Sequence, residues 1–138
     1  MKVFISYAST DAKLAKQVAD ALKKAGFQTW DETQIFPGEN WAEGLAKSLQ
    51  ESDAMVVLLT PASIRSSNIQ HEIGYALGKQ DYKDKVLSVI AASDEQLPLT
   101  EIPWILKKLR VIRIPNLGEN EEGLRRITRT LEVVAQSH

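Results

Sequence analysis

Six consecutive apolar residues, Ala54-Met55-Val56-Val57-Leu58-Leu59, constrain this chain more than any other stretch. A run with no polar position has no face to give to water, so it reads as a strand buried on both sides, within a parallel sheet covered by helices. Thr60-Pro61 ends it, and a short serine-rich turn leads into a helical pattern. Ser67 is a candidate N-cap with Gln70 at capping-box spacing, and Ile69, Ile73, Ala76 and Leu77 share one helical face. At roughly 100° per residue, Glu72 falls at the rim of that face. A carboxylate is therefore expected one turn into a helix that follows the carboxyl end of a central strand, where open α/β sheets bind ligands. Two plainer readings stand beside this one: a favourable charge near the positive end of a helix, or a surface residue bordering the buried stripe.

The other segments repeat the same alternation. Lys2 to Tyr7 reads as a first strand, and Ala8-Ser9-Thr10-Asp11 supplies loop and cap residues for a helix striped by Leu14, Val18, Ala21, Leu22 and Ala25 and stopped by Gly26. Phe27 to Trp30 is a second strand, and Asp31 to Asn40 is a loop turned by Pro37-Gly38. Trp41, Leu45 and Leu49 mark a second helix. Val86 to Ala91 is a further strand, and Ser93 to Pro103 is irregular because Pro98 and Pro103 exclude a long helix. Trp104 to Lys108 fits one or two helical turns. Leu109 to Ile114 reads as an edge strand, and Leu124, Ile127, Leu131 and Val134 define a last helix within Gly118 to Gln136. Strands alternating with helices predict an α/β, flavodoxin-like, doubly wound five-stranded parallel sheet. The alternation carries that class; the strand order 2-1-3-4-5 is a choice among doubly wound options. A chain of 138 residues without repeats or linkers is expected to form a single domain over 1–138.

Composition removes several functions. Net charge is −1 and the basic residues are scattered, the densest groups being Lys107, Lys108, Arg110 and Arg113, then Arg125, Arg126 and Arg129 on a solvated helix face. That argues against nucleic acid and against an anionic membrane as partner. No stretch is apolar enough to span a bilayer, and cysteine is absent, which fits a reducing, cytoplasmic setting. Two histidines, His71 and His138, cannot build a His-rich metal site, so no metal is expected. Dinucleotide, P-loop and nucleophile-elbow motifs are all missing. A receiver-type phosphoacceptor aspartate is also missing, since the third strand ends in Leu59-Thr60-Pro61.

Three segments together resemble one family. Phe4-Ile5-Ser6-Tyr7-Ala8-Ser9 with Asp11 resembles the opening motif of Toll/interleukin-1 receptor (TIR) domains. Gly26 to Asp31 followed by Pro37-Gly38-Glu39-Asn40-Trp41 resembles their second strand and BB loop. Ser67 through Glu72-Ile73 resembles their serine–x4–glutamate segment. The resemblance covers most of the chain in the right order, and the sequence looks similar to bacterial TIR proteins of anti-phage defence. It implies one of two uses: cleavage of NAD+ at the nicotinamide–ribose bond, giving ADP-ribose or a cyclic isomer, or non-enzymatic scaffolding through homotypic TIR–TIR contacts. In either case the partners are other TIR domains, as a homo-oligomer or filament, with a fused or separate sensor. A nucleoside deoxyribosyltransferase-like enzyme is a third reading, since it uses a related sheet and a glutamate.

By that resemblance Glu72 sits at the catalytic glutamate, NAD+ is substrate rather than cofactor, and Tyr7, Ser9, Asp31, Phe36, Ser67 and Asn68 are expected along the substrate cleft. Ile35, Pro37, Gly38 and Trp41 fall in or beside the BB loop that meets a neighbouring domain. Plain alternatives remain for several of them. Tyr7 can simply pack, Asp31 can serve a turn, and Trp41 fits the first apolar position of its helix; Arg65, before the serines, is placed to meet a phosphate but fits a solvated surface better. One position departs from the pattern: NAD-cleaving members often carry Trp four residues before the glutamate, where this chain has Asn68. The departure implies that the nicotinamide ring stacks on another aromatic, that activity is weak or altered in product, or that Asn68 hydrogen-bonds the ribose or carboxamide.

Overall fold

The computed structural model describes residues 2–30, 51–65, 86–102, 110–117 and 121–136. Five strands form one sheet: β1 (Lys2–Ser6), β2 (Gln28–Trp30), β3 (Ala54–Leu59), β4 (Val86–Ile90) and β5 (Arg110–Arg113), in the order β2-β1-β3-β4-β5. Every pairing is parallel, with Ile5 opposite Val56 and Val57 opposite Ser88. This is the flavodoxin-like order anticipated above. The strands begin and end within a residue or two of their expected limits, β3 at both expected ends.

Burial on both faces accounts for the uniformly apolar sequence of β3. Ala54 to Leu59 are all 0% exposed. Alternate residues serve the two faces. Val3, Ile5, Val56, Leu58, Leu87 and Val89 join one core cluster with residues of α1 (Ala12–Lys24) and of a last helix (Glu121–Gln136). Phe4, Met55, Val57, Leu59 and Ile90, on the opposite face, are equally inaccessible. Nothing polar can occupy such a strand cheaply, so β3 is unbroken by polar residues.

Helix α1 buries Ala15, Val18, Ala19 and Leu22. The expected stripe shared Val18 and Leu22 but also used Leu14, Ala21 and Ala25; Leu14 and Ala21 are only partly buried and Ala25 is exposed. Alanines occur all round this helix, so they do not fix the buried face to within one position. The helix ends in a Schellman motif: Phe27 N–H donates to Leu22 O at 2.9 Å and Gly26 N–H to Lys23 O at 3.1 Å. Gly26 takes φ +96°, and Leu22 and Phe27, flanking the motif, are both buried in the core cluster.

A short helix, α2 (Pro61–Ile64), follows β3, and the last helix is α3 (Glu121–Gln136). Ile127 and Leu131 of α3 are buried as expected, whereas Arg125, Arg126 and Arg129 are exposed, with Arg125 and Arg129 paired to Glu121 and Glu122. Residues 91–102 are irregular apart from one 3₁₀ turn at Leu99–Glu101, in keeping with Pro98. Among the described residues no helix is long and apolar enough to cross a membrane, and no group of three or more His, Cys, Asp or Glu residues is placed to hold a metal ion.

Candidate active site

In a sheet ordered 2-1-3-4-5, successive connections run to opposite sides at β1 and β3, which opens a crevice at the carboxyl ends of these two strands. The described walls of that crevice are the residues leaving β1, from Tyr7 to Asp11, and those leaving β3, from Thr60 to Arg65. Tyr7 is 5% exposed and belongs to the core cluster beneath α1. Ser9 starts a 3₁₀ turn, Ser9–Asp11, that runs directly into α1.

Asp11 was expected to serve as a loop or cap residue. It makes no capping bond to α1. Its Oδ2 instead accepts a hydrogen bond from Thr60 Oγ1 at 2.6 Å, across the crevice floor. Thr60 in turn caps α2. Ser63 N–H donates to Thr60 Oγ1 at 3.1 Å, and Thr60 N–H donates to Ser63 Oγ at 2.8 Å, a reciprocal capping box closed by Pro61 at the first helical position. Ser63 is fully buried and Thr60 is 6% exposed. This capped turn occupies what the sequence marks only as a serine-rich turn. Thr followed by Pro, with Ser three residues after the Thr, was the available signal. Arg65 ends α2 and is exposed.

The remaining candidates, Glu72, Asp31, Ile35, Phe36, Pro37, Gly38, Trp41, Ser67 and Asn68, lie outside the described residues. On the far side of β3, Ala91 N–H continues the ladder by donating to Leu59 O at 3.0 Å. The loop beyond it is tied to β5 by Arg113, whose Nη1 and Nη2 donate to Ala92 O and Leu97 O. A groove of about 530 Å³ between α1 and α3 is lined by Gln17, Asp20, Lys24, Glu121 and Arg125 among others. It contains none of the predicted site residues, and its mixed charges are those of a solvated seam between two helices.

The TIR-domain family profile matches residues 3–128. Among solved structures, the TIR domain of the Toll-related receptor TRR-2 from Hydra magnipapillata superposes with a TM-score of 0.73 at 17% identity, covering 94% of this chain and 97% of that one. A metazoan TIR-STING receptor from C. gigas, in complex with 2',3'-cGAMP, gives 0.77 at 20% identity over 94% of this chain and 38% of the receptor. The CMP N-glycosidase BcmB from Clostridium botulinum gives 0.63 at 15% identity, over 92% of this chain and 98% of that one. Identities this low speak for the fold alone. No curated protein sequence matches the chain significantly. Sheet order and a family match running from β1 into the last helix agree, and the chain belongs to the TIR-domain family.

Proposed function

We propose that this TIR domain cleaves the nicotinamide–ribose bond of NAD+, with Glu72 as the carboxylate that stabilises the reacting ribose, and that it acts in assemblies of TIR domains. The observation that carries the reading is the course of the chain at the switch point. Strand β3 leaves the sheet beside β1, turns through the capped Thr60–Arg65 segment, and leads seven residues later to a glutamate in the family's serine–x4–glutamate pattern. The CMP N-glycosidase, named for breaking an N-glycosidic bond, has the same fold.

The chemistry asks little of the protein beyond charge and orientation. The C1′–N bond breaks with its electron pair going to the pyridinium nitrogen, so nicotinamide departs neutral and needs no proton. Positive charge develops on the ribosyl C1′ and ring oxygen, where an aligned carboxylate lowers the barrier. Water then adds at C1′ and loses a proton to give ADP-ribose, or an adenine nitrogen adds to give a cyclic isomer. Phe36 and Asn68 are assigned to the nicotinamide side, Ser9, Asp31 and Ser67 to the ribose and its surroundings, and Ile35, Pro37, Gly38 and Trp41 to the contact between domains. An anti-phage setting rests on the sequence resemblance alone.

Asn68, standing where NAD-cleaving members often carry Trp, favours a second reading, a scaffold that works by homotypic binding. Nicotinamide release from NAD+ at high protein concentration, comparing the wild-type chain with Glu72→Gln, separates the two. The enzyme reading expects release that falls by on the order of a hundredfold or more in the variant with folding unchanged. Equal release from both removes Glu72 from the mechanism, and no release from either, even when the domains are clustered on a surface, gives the scaffold.

A further inference from the structure

We propose that Asp11 is a positioning residue: through Thr60 it fixes the turn from which the Glu72-bearing segment leaves the sheet. Its role in catalysis rests on the NAD+ reading above, whereas its hold on the turn does not.

An aspartate at the start of a helix ordinarily accepts from that helix's own first amides, which is worth roughly 1 kcal/mol. Asp11 forgoes that bond. Its carboxylate takes the Thr60 hydroxyl hydrogen at 2.6 Å, from a residue 49 positions away. A hydroxyl has one hydrogen to donate and lone pairs to accept with. With the hydrogen drawn to Asp11, the Thr60 oxygen presents lone pairs to Ser63 N–H, and the reciprocal bond from Thr60 N–H to Ser63 Oγ completes the box. One carboxylate therefore orients the whole turn. Asp11 opens the loop-to-helix junction after β1, and Thr60 is the first residue after β3, so the bond joins the two walls of the crevice. Ser63, at 0% exposure, has no water to fall back on if the arrangement is lost. A charged acceptor at this distance makes the tie stronger than a neutral pair would be.

The test compares wild type with Asp11→Ala, Asp11→Asn, Thr60→Val, Thr60→Ser and the Asp11→Ala/Thr60→Val double variant. Two readouts are taken: amide hydrogen exchange over residues 60–65, and kcat and KM for nicotinamide release. In Asp11→Ala and Thr60→Val, exchange is expected to rise at least about tenfold in this segment while the central strands keep their protection. The kcat is expected to fall on the order of tenfold with KM held within about twofold, the mark of a displaced catalytic group rather than lost substrate binding. The double variant should be no worse than Thr60→Val alone, which already removes the Asp11 bond together with the acceptor for Ser63 N–H. Thr60→Ser, which keeps the hydroxyl, and Asp11→Asn, which keeps an acceptor oxygen, should recover most of both readouts.

Unchanged exchange in Asp11→Ala overturns the proposal, and so does faster exchange with kcat unaltered, or a double variant whose losses add. If Asp11→Ala does not fold, Asp11→Ser, which keeps a helix-starting residue but has a side chain too short to replace the carboxylate, takes its place. If the wild-type chain releases no nicotinamide, the NAD+ reading falls by itself, and the exchange measurement still decides whether Asp11 holds the turn.

Discussion

Arg113 Nε stands 3.1 Å from Asp94 Oδ1, and the rest of the same guanidinium is committed to backbone: Nη1 donates to Ala92 O and Nη2 to Leu97 O, each at 2.9 Å. The Arg113 side chain is 19% exposed and Asp94 is 85% exposed. An ion pair to so exposed a carboxylate is heavily screened. The two carbonyl bonds, made in a partly buried place, carry the interaction, and they fasten the loop after β4 to the end of β5.

That division gives a clear expectation for unfolding in urea. Asp94→Asn should change stability by no more than about 0.5 kcal/mol, as for other exposed pairs. Arg113→Ala should cost about 2–3 kcal/mol, because two buried-side carbonyls lose charged donors at once. Arg113→Lys should fall between, since an ammonium does not reproduce the fork that reaches both carbonyls.

Two buried serines should respond in opposite directions to the same substitution. Ser63 Oγ accepts from Thr60 N–H inside the capping box, so Ser63→Ala strands a buried donor and should cost about 1–2 kcal/mol. Ser88 sits at 0% exposure in the middle of β4, and its Oγ has no hydrogen-bond partner among the described residues. Ser88→Ala is expected to lose nothing and to gain up to about 1 kcal/mol. Denaturation midpoints at constant m-value decide both, and a clear loss in Ser88→Ala would show that the hydroxyl is satisfied after all.

At Gly26 the cost of a side chain is conformational alone. The residue has φ +96°, and a Cβ built on it meets nothing within 4 Å. Gly26→Ala should therefore destabilise by about 1–2 kcal/mol without disturbing packing, and Gly26→Asn by less, because Asn tolerates the left-handed region better. Equal losses for the two, measured by thermal melting, would point to a packing cause instead.

The contrast between β3 and Asp11 shows what a sequence displays and what it conceals. Ala54 to Leu59 announces itself because burial on both faces suppresses every polar residue along a contiguous stretch. Gly26 likewise carries its meaning locally, as the residue that a left-handed helix end calls for. Sheet order is decided by which crossover lies on which face, so periodicity suggests alternation while leaving the order 2-1-3-4-5 a choice among neighbours. The Asp11–Thr60 bond has no local trace at all: its partners are 49 positions apart, and each has an ordinary local role, helix opener and strand stop, that explains its presence. Of the candidate site, Tyr7 entered the core under α1, Ser9 began the turn into α1, and Glu72 with its companions lies outside the described residues. Glu72 therefore stands on pattern and resemblance, which is why activity assays rather than geometry must test it.

The assembly half of the proposed function has its own test, independent of which cyclic or linear product forms. If a loop containing Pro37 and Gly38 completes the site of a neighbouring domain, a loop variant and a catalytic variant are each inactive for different reasons and can repair one another. Pro37→Ala retains Glu72 but presents a defective loop; Glu72→Gln presents a sound loop but has no carboxylate. In a random equimolar mixture, a productive site needs a Glu72-bearing domain beside a domain with an intact loop, and a head-to-tail contact forms that pair at about one site in four. Nicotinamide release should therefore be near background for either variant alone and return to about a quarter of the wild-type rate on mixing, with specific activity that climbs with total protein concentration. Mixtures that stay silent while each variant remains folded would confine the site to one domain. Pro37 and its neighbours would then be left without the role assigned to them.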